Sequence, residues 1–189
     1  IIQGQNTGAK VTIPERFTEQ LVFNLDNFGK LELRLKGKVN MKKDEKFVAN
    51  IICSSLREVD LSGACKVKVN GDFSTQKVEF DLSGAARREF NSVFQATQEM
   101  EFDLSGAAKI IGQIETPRLK FDISGASNIN LSGIATGVML EASGASKVDL
   151  SRLNVETMTL DISGASNISA NVSGVIKGEV SGASKVNYS

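Results

Sequence analysis

Four stretches decide how this chain is read: EFDLSGAAKI (101–110), FDISGASNIN (121–130), LEASGASKVD (140–149) and LDISGASNIS (160–169). Each restates Ser-Gly-Ala behind an acidic residue. Working outward, the triplet begins at Ser62, Ser83, Ser105, Ser124, Ser143, Ser163 and Ser181, at intervals of 21, 22, 19, 19, 20 and 18 residues. A period near 20 is that of a solenoid, in which each unit buries its apolar face only by stacking on the next. The triplet is therefore either a site copied many times or a corner that the backbone turns many times.

Aligning the seven copies separates these readings. The residue before each Ser is Leu61, Leu82, Leu104, Ile123, Ala142, Ile162 or Val180. Three before it stand Val59, Phe80, Phe102, Phe121, Leu140, Leu160 and Gly178, and five before it Arg57, Val78, Met100, Leu119, Val138, Met158 and Ile176. Apolar residues at every second position are the signature of a half-buried strand. Alternation resumes after the triplet (Ile129 and Leu131, Val148 and Leu150, Val186 and Tyr188), and a third apolar patch follows at Phe73, Ile134, Leu153 and Val172. Helical periodicity is missing, and so is the Leu-x-x-Leu-x-Leu of leucine-rich repeats.

The expected fold is all-β, a single-stranded parallel β-helix with coils of about 20 residues, right-handed by the general preference of parallel crossovers. Gly63, Gly84, Gly106, Gly125, Gly144, Gly164 and Gly182 then mark the corners, because only Gly takes a left-handed backbone cheaply. We read residues 1–189 as one solenoid domain. Residues 1–54 form irregular leading coils, with a turn at Asn27-Phe28-Gly29 and a charged exposed loop at 37–46; the seven repeats occupy 55–189.

Composition narrows the functions. Lys plus Arg (22) equals Asp plus Glu (22), so no global field draws the chain to nucleic acid. No apolar run approaches the roughly 20 residues of a membrane span. Histidine and Trp are missing and there is a single Tyr, which removes the commonest general base, the commonest metal ligand and the best sugar-stacking ring. Cys53 and Cys65 have no metal spacing and read as two separate small apolar residues, a disulfide between them being possible but unsupported. The opening IIQGQNTGAK shows no signal peptide, which says little about compartment. The sequence stops in mid-repeat at VNYS, so we expect a further coil, an open end, or end-to-end or side-by-side self-association to cover unpaired backbone groups.

Electrostatics single out one row. Two positions before each Ser stand Asp60, Asp81, Asp103, Asp122, Glu141, Asp161 and Glu179, which should point outward and stack. Neighbouring charges about 4.8 Å apart repel by about 1 kcal/mol even in water. Two offsets are open. The row four after each Ser (Lys66, Arg87, Lys109, Asn128, Lys147, Asn167, Lys185) could neutralise the acids across the corner. Alternatively, the seven carboxylates with backbone carbonyls could hold Ca²⁺, which accepts oxygen ligands in loose geometry.

Arg88 is a second oddity, occupying a position that is apolar in the other repeats. We expect a bulge that takes Arg88 to solvent, with Phe90 recovering the inward direction; the alternative is an anion or acidic-sugar subsite at Arg87, Arg88 and Glu89. Phe80, Phe102 and Phe121 should stack in the core, leaving Phe28, Phe94 and Tyr188 as the candidates for an exposed ring.

The copies VDLSGACKV, FDLSGAAKI, FDISGASNI, LEASGASKV, LDISGASNI and GEVSGASKV resemble the bacterial family called "putative auto-transporter adhesin, head GIN domain". The chain departs from the family pattern at Arg87-Arg88-Glu89. The resemblance implies a right-handed single-stranded β-helix and an exported chain in the periplasm, outer membrane or cell surface. We therefore expect a non-catalytic scaffold or adhesin-like module whose partner is an extracellular glycan, a lipid head group or a surface protein. The alternative is a carbohydrate-active or lipid-binding protein with a local site near Arg87 and Arg88.

Overall fold

The computed structural model describes residues 1–3, 8–25, 31–37, 42, 45 and 47–189. The turn expected at 27–29 and most of the charged loop at 37–46 lie outside the described residues, as does Phe28. The strands are β1 (Ile2–Gln3), β2 (Gly8–Thr12), β3 (Leu21–Leu25), β4 (Leu31–Leu35), β5 (Val48–Cys53), β6 (Glu58–Leu61), β7 (Lys66–Val69), β8 (Ser74–Gly84), β9 (Arg87–Gly106), β10 (Lys109–Gly125), β11 (Asn128–Gly144), β12 (Lys147–Gly164), β13 (Asn167–Val180) and β14 (Lys185–Tyr188).

From β6 onward the chain is a parallel β-solenoid of about seven turns with about 20 residues per coil. Its nine-stranded sheet runs β14-β13-β12-β11-β10-β9-β8-β6, with β7 on β9. Copies stack in register: Asp103 pairs with Asp122, Asp122 with Glu141, Glu141 with Asp161, and Asp161 with Glu179. The same ladder links Asp60 to Asp81 and Asp81 to Asp103.

Ser-Gly-Ala is the corner of every coil. Gly144 has φ +122°, which L side chains rarely adopt, and a Cβ there would sit 2.3 Å from the carbonyl oxygen of Gly125. Glycine thus serves twice, by its backbone angle and by letting successive corners nest. The nesting is hydrogen-bonded: the Ala145 N–H donates to Gly125 O at 2.8 Å, and the Ala165 N–H to Gly144 O at 2.7 Å.

Alternation fills the interior. Phe80, Phe102, Phe121, Leu140 and Leu160 occupy one inward row, each at most 4% exposed. The Phe80 and Phe102 rings stack at 5.0 Å between centroids and Phe102 and Phe121 at 5.4 Å, as the alignment predicted. Phe94, expected as a loose ring, is buried and tilts against Phe90 at 5.3 Å. Ile134 is the converse: register places Gly133 beside Leu153 on the inside, so Ile134 points out and is 54% exposed.

Among the described residues, the strands before β6 differ from stacked coils, although β1 pairs parallel with β5. β2 pairs antiparallel with β5, and β3 with β4, in sheets separate from the solenoid. The period-two pattern of LELRL marks a strand without specifying its partner, and an antiparallel hairpin satisfies it as well as a coil does.

Candidate functional site

The outward rows are the place to look, because the inward rows are packed core. On the strand before the corner, the seven predicted carboxylates lie side by side, Asp81 and Asp103 half-buried and the other five exposed. Register brings a second acidic row beside them: Glu58 pairs with Glu79, and Glu79 with Glu101. The sequence reading missed this row, although EVD (58–60), EFD (79–81) and EFD (101–103) spell it out. Glu79, Asp81 and Asp103 each offer an oxygen within 4.8 Å of the others, hard ligands of the kind Ca²⁺ accepts.

Direct neutralisation across the corner is not what the structure shows. The basic row stacks as expected, Lys66 on Arg87 and Arg87 on Lys109. Lys66, however, turns to Glu89 at 2.9 Å, and Lys68 reaches the same carboxylate at 3.7 Å. Among the described residues no ion pair joins the two ladders. The reason is geometric: Lys66 and Glu89 stand two positions apart on neighbouring strands of one face, whereas the acids lie around a bend. Lys66 and its neighbours hold the Glu89 carboxyl below its usual range. Crowding on the acidic side acts the other way. Burial, a hydrogen bond with Asp60 and the charges of Glu79 and Asp103 push Asp81 up to about 6.

The three residues of the predicted anion subsite do not converge. Arg87 is exposed and Glu89 is engaged by the two lysines. Arg88 faces inward and is fully buried, which corrects the expected excursion to solvent. Its register is unbroken, with Val67 on one side and Ile110 on the other; the irregularity comes later, between Ile111 and Gln113. The guanidinium carbon lies 3.5 Å from the centroid of the Phe80 ring and 4.6 Å from that of Phe90. Among the described residues none of its three nitrogens has a hydrogen-bond partner. Desolvation pulls its pKa well down, yet the ordinary value is so high that the group stays cationic. The ring faces replace the solvent that a bulge would have supplied, at about 2 kcal/mol for a desolvated cation–π contact.

Cys53 and Cys65 are half-buried free thiols. Burial raises both thiols above their usual range. Cys65 begins an inward row that changes character along the axis, through Ala86 and Ala108 to Ser127, Ser146 and Ser166. There the Ser127 N–H donates to Ser146 Oγ at 3.1 Å, and the Ser146 N–H to Ser166 Oγ at 3.2 Å.

A second surface feature sits at the next bend of the coil, where Phe90, Gly112, Gln113, Asn130, Ser132 and Arg152 are among the residues lining a void of about 270 Å³. Sequence reading passed over it. Its trace in the sequence is the fall of the repeat interval from 22 to 19 residues after Ser105. Among the described residues no helix is long and apolar enough to cross a membrane.

Fold and surface together define a parallel β-solenoid whose outward polar groups run in ladders along its axis. Residues 1–189 match the family described as "putative auto-transporter adhesin, head GIN domain", and the chain belongs to that family. No curated protein matches it. It is similar in fold to a "putative adhesin" of Parabacteroides distasonis, with TM-score 0.75 and 17% identity over 100% of this chain and 84% of that one. A "putative adhesin" of Bacteroides fragilis gives TM-score 0.76 and 14% identity over 99% and 85%. One from Parabacteroides merdae gives 0.57 and 14% over 100% and 86%.

Proposed function

We propose that this chain is a non-catalytic, adhesin-like binding module of the cell envelope, which presents its stacked ladders to an external partner. The family description supports an external partner and an envelope or surface location. The observation that carries the reading is the outward carboxylate at the same rung of seven successive coils, from Asp60 to Glu179. Catalysis needs a few groups converging on one reacting atom. A row with one group per coil suits many weak contacts, whose combined avidity can exceed any single one by about 10²–10⁴.

Retention of the immobilised chain on intact cells and on a glycan array tests this. The triple variant Asp122→Asn, Glu141→Gln, Asp161→Asn is expected to lose at least about tenfold in retention through lost avidity, with no fall in melting temperature. Melting in chelator and in added calcium tests the other offset, calcium held by the carboxylate row; an unmoved melting temperature removes it. A chain that adheres to nothing, or adheres equally with the ladder neutralised, would overturn the reading.

A further inference from the structure

The void at the second bend has a cause in register. Between Glu89 and Val93 the chain places three residues where the next coil places only Gly112 between Ile111 and Gln113. Two coils on, Leu150 and Ser151 lie between Asp149 and Arg152 where only Leu131 lies between Asn130 and Ser132. Two coils therefore take the bend short, and the coil on either side swings wide. Bulges of this kind re-aim side chains. Here they leave a recess two coils wide, about 10 Å along the axis at the normal strand spacing.

Gly112 deepens it. A Cβ there would fall 2.5 Å from Phe90 Cβ and 2.6 Å from Phe90 Cδ2, so the Phe90 side chain lies against the bare backbone and closes the floor of the recess, itself only 7% exposed. Ile111, 36% exposed, continues that floor outward. The rim is polar and only partly satisfied. Arg152 Nη2 donates to Asn130 Oδ1 at 2.7 Å, leaving its other N–H groups. Asn91 Nδ2 donates to Asn70 Oδ1 at 2.6 Å, leaving the Asn91 carbonyl oxygen. The Gln113 amide is unengaged. Among the described residues no carboxylate lines the recess, and Arg152 is the one formal charge in its wall. Asp149 nearby accepts from the hydroxyl and N–H of Ser151, and the Arg152 charge also acts on it.

We propose that this recess is a saccharide subsite that takes a single acidic sugar ring, with the carboxylate on Arg152, hydroxyls on Gln113, Asn91 and Asn130, and one ring face on Ile111. A mixed set of donors and acceptors over an apolar floor is the chemistry of a polyhydroxylated ring, and a guanidinium is the natural holder of a carboxylate. A peptide adding as a strand is disfavoured, because β10 and β11 are paired along both edges and offer no free backbone. The volume, just below the roughly 300 Å³ at which ordinary ligand pockets begin, suits one ring. The inference rests on the binding-module reading and gives that module a ligand class.

Titration of the isotope-labelled chain with D-glucuronate and with D-glucose, followed by NMR, tests it. Glucuronate is expected to move the amide signals of Ser92, Gly112, Gln113 and Ser132, and to bind about tenfold more tightly than glucose, the worth of one charge-assisted hydrogen bond. Arg152→Gln should bring glucuronate down to the glucose level at unchanged melting temperature, and Gln113→Ala should weaken both sugars alike. Silence at these amides, shifts confined to the corner ladders, or indifference to Arg152→Gln would overturn the proposal. So would N-acetylglutamate binding as well as glucuronate, which would mean a general carboxylate site. If the recess is silent while cell retention persists, this inference alone falls; if both are silent, the binding-module reading falls with it.

Discussion

The coils up to Phe121 and the coils after it share one backbone and have different interiors. In the early coils Phe73, Phe80, Phe90, Phe94, Phe102 and Phe121 form a connected set of rings, with the corner row filled by Cys65, Ala86 and Ala108. In the late coils the same rows hold Leu140, Leu150 and Leu160, and the corner row becomes Ser127, Ser146 and Ser166, buried and hydrogen-bonded from coil to coil. Both halves keep the glycine corner and the outward acid. The corner thus dictates the coil, while the core need only fill its volume without strain. Arg88 marks the limit of that tolerance. A cation is held inside only where ring faces are within reach, its counterparts Ile110, Ile129, Val148 and Ile168 being aliphatic and fully buried.

The most severe way to break the comparison is to move the charge. At Val148 the positions corresponding to Phe80 and Phe90 hold Leu140 and Leu150, so Val148→Arg buries a guanidinium with no ring and no hydrogen bond. The expected loss is more than about 4 kcal/mol, at the exceptional end for one substitution. Urea unfolding of the purified chain measures it, and a variant that folds with near-normal stability would show that the rings do not matter to Arg88.

The reverse exchange should go the other way. Arg88→Ile restores the residue type of the neighbouring rungs and removes an unsatisfied buried charge. We expect stabilisation by about 1–4 kcal/mol, since replacing buried charge with a fitted apolar residue is commonly neutral to stabilising. A loss would mean that the contacts with Phe80 and Phe90 outweigh the desolvation they offset.

The features that repeat were legible in the residues. Seven glycines at near-equal intervals, each behind a period-two strand, give the coil, its register and the outward acidic row, because every copy states the same requirement. What was not legible depends on relations between coils. Arg88 looked like a surface residue because charge predicts exposure on average, and only the packed structure shows two rings closing over it. Lys66 belonged to one of two open offsets for the acids around the bend, but it pairs with Glu89 across the strand ladder. The recess at Gly112 arises from unequal residue counts in adjacent coils, which a sequence shows as an interval and a structure shows as a space. The first 53 residues were hardest, because alternation in LELRL fixes which side faces in and is silent on whether the neighbour runs parallel or antiparallel.

The smallest effect tests the acidic face, where the halves differ again: Asp81 is flanked by Glu79 and Glu101, whereas Asp161 is flanked by Thr159 and Lys177 in the register of the late coils. Asp81 is raised from an ordinary 3.8 to about 6, so the folded chain holds that proton more tightly than the unfolded one. Between about pH 4 and 6 the folded state binds more protons, and this group's contribution to stability falls as pH rises through that window. Glu45, Glu89, Glu99 and Asp149 are lowered and contribute in the opposite sense, losing stability as pH falls, so the wild-type curve alone decides nothing. The difference between wild type and Asp81→Asn reports this group together with the carboxylates coupled to it. The variant should melt higher at pH 7 by about 1–3 °C, a discounted value for a partly exposed carboxyl in a chain of this size, and the gain should vanish by pH 4. Asp161→Asn, lacking the second acidic row, should gain less. Equal gains at both positions, or a gain at Asp81 that persists at pH 4, would show that the burial of Asp81 and its crowding by Asp60, Glu79 and Asp103 are not what sets the early coils apart.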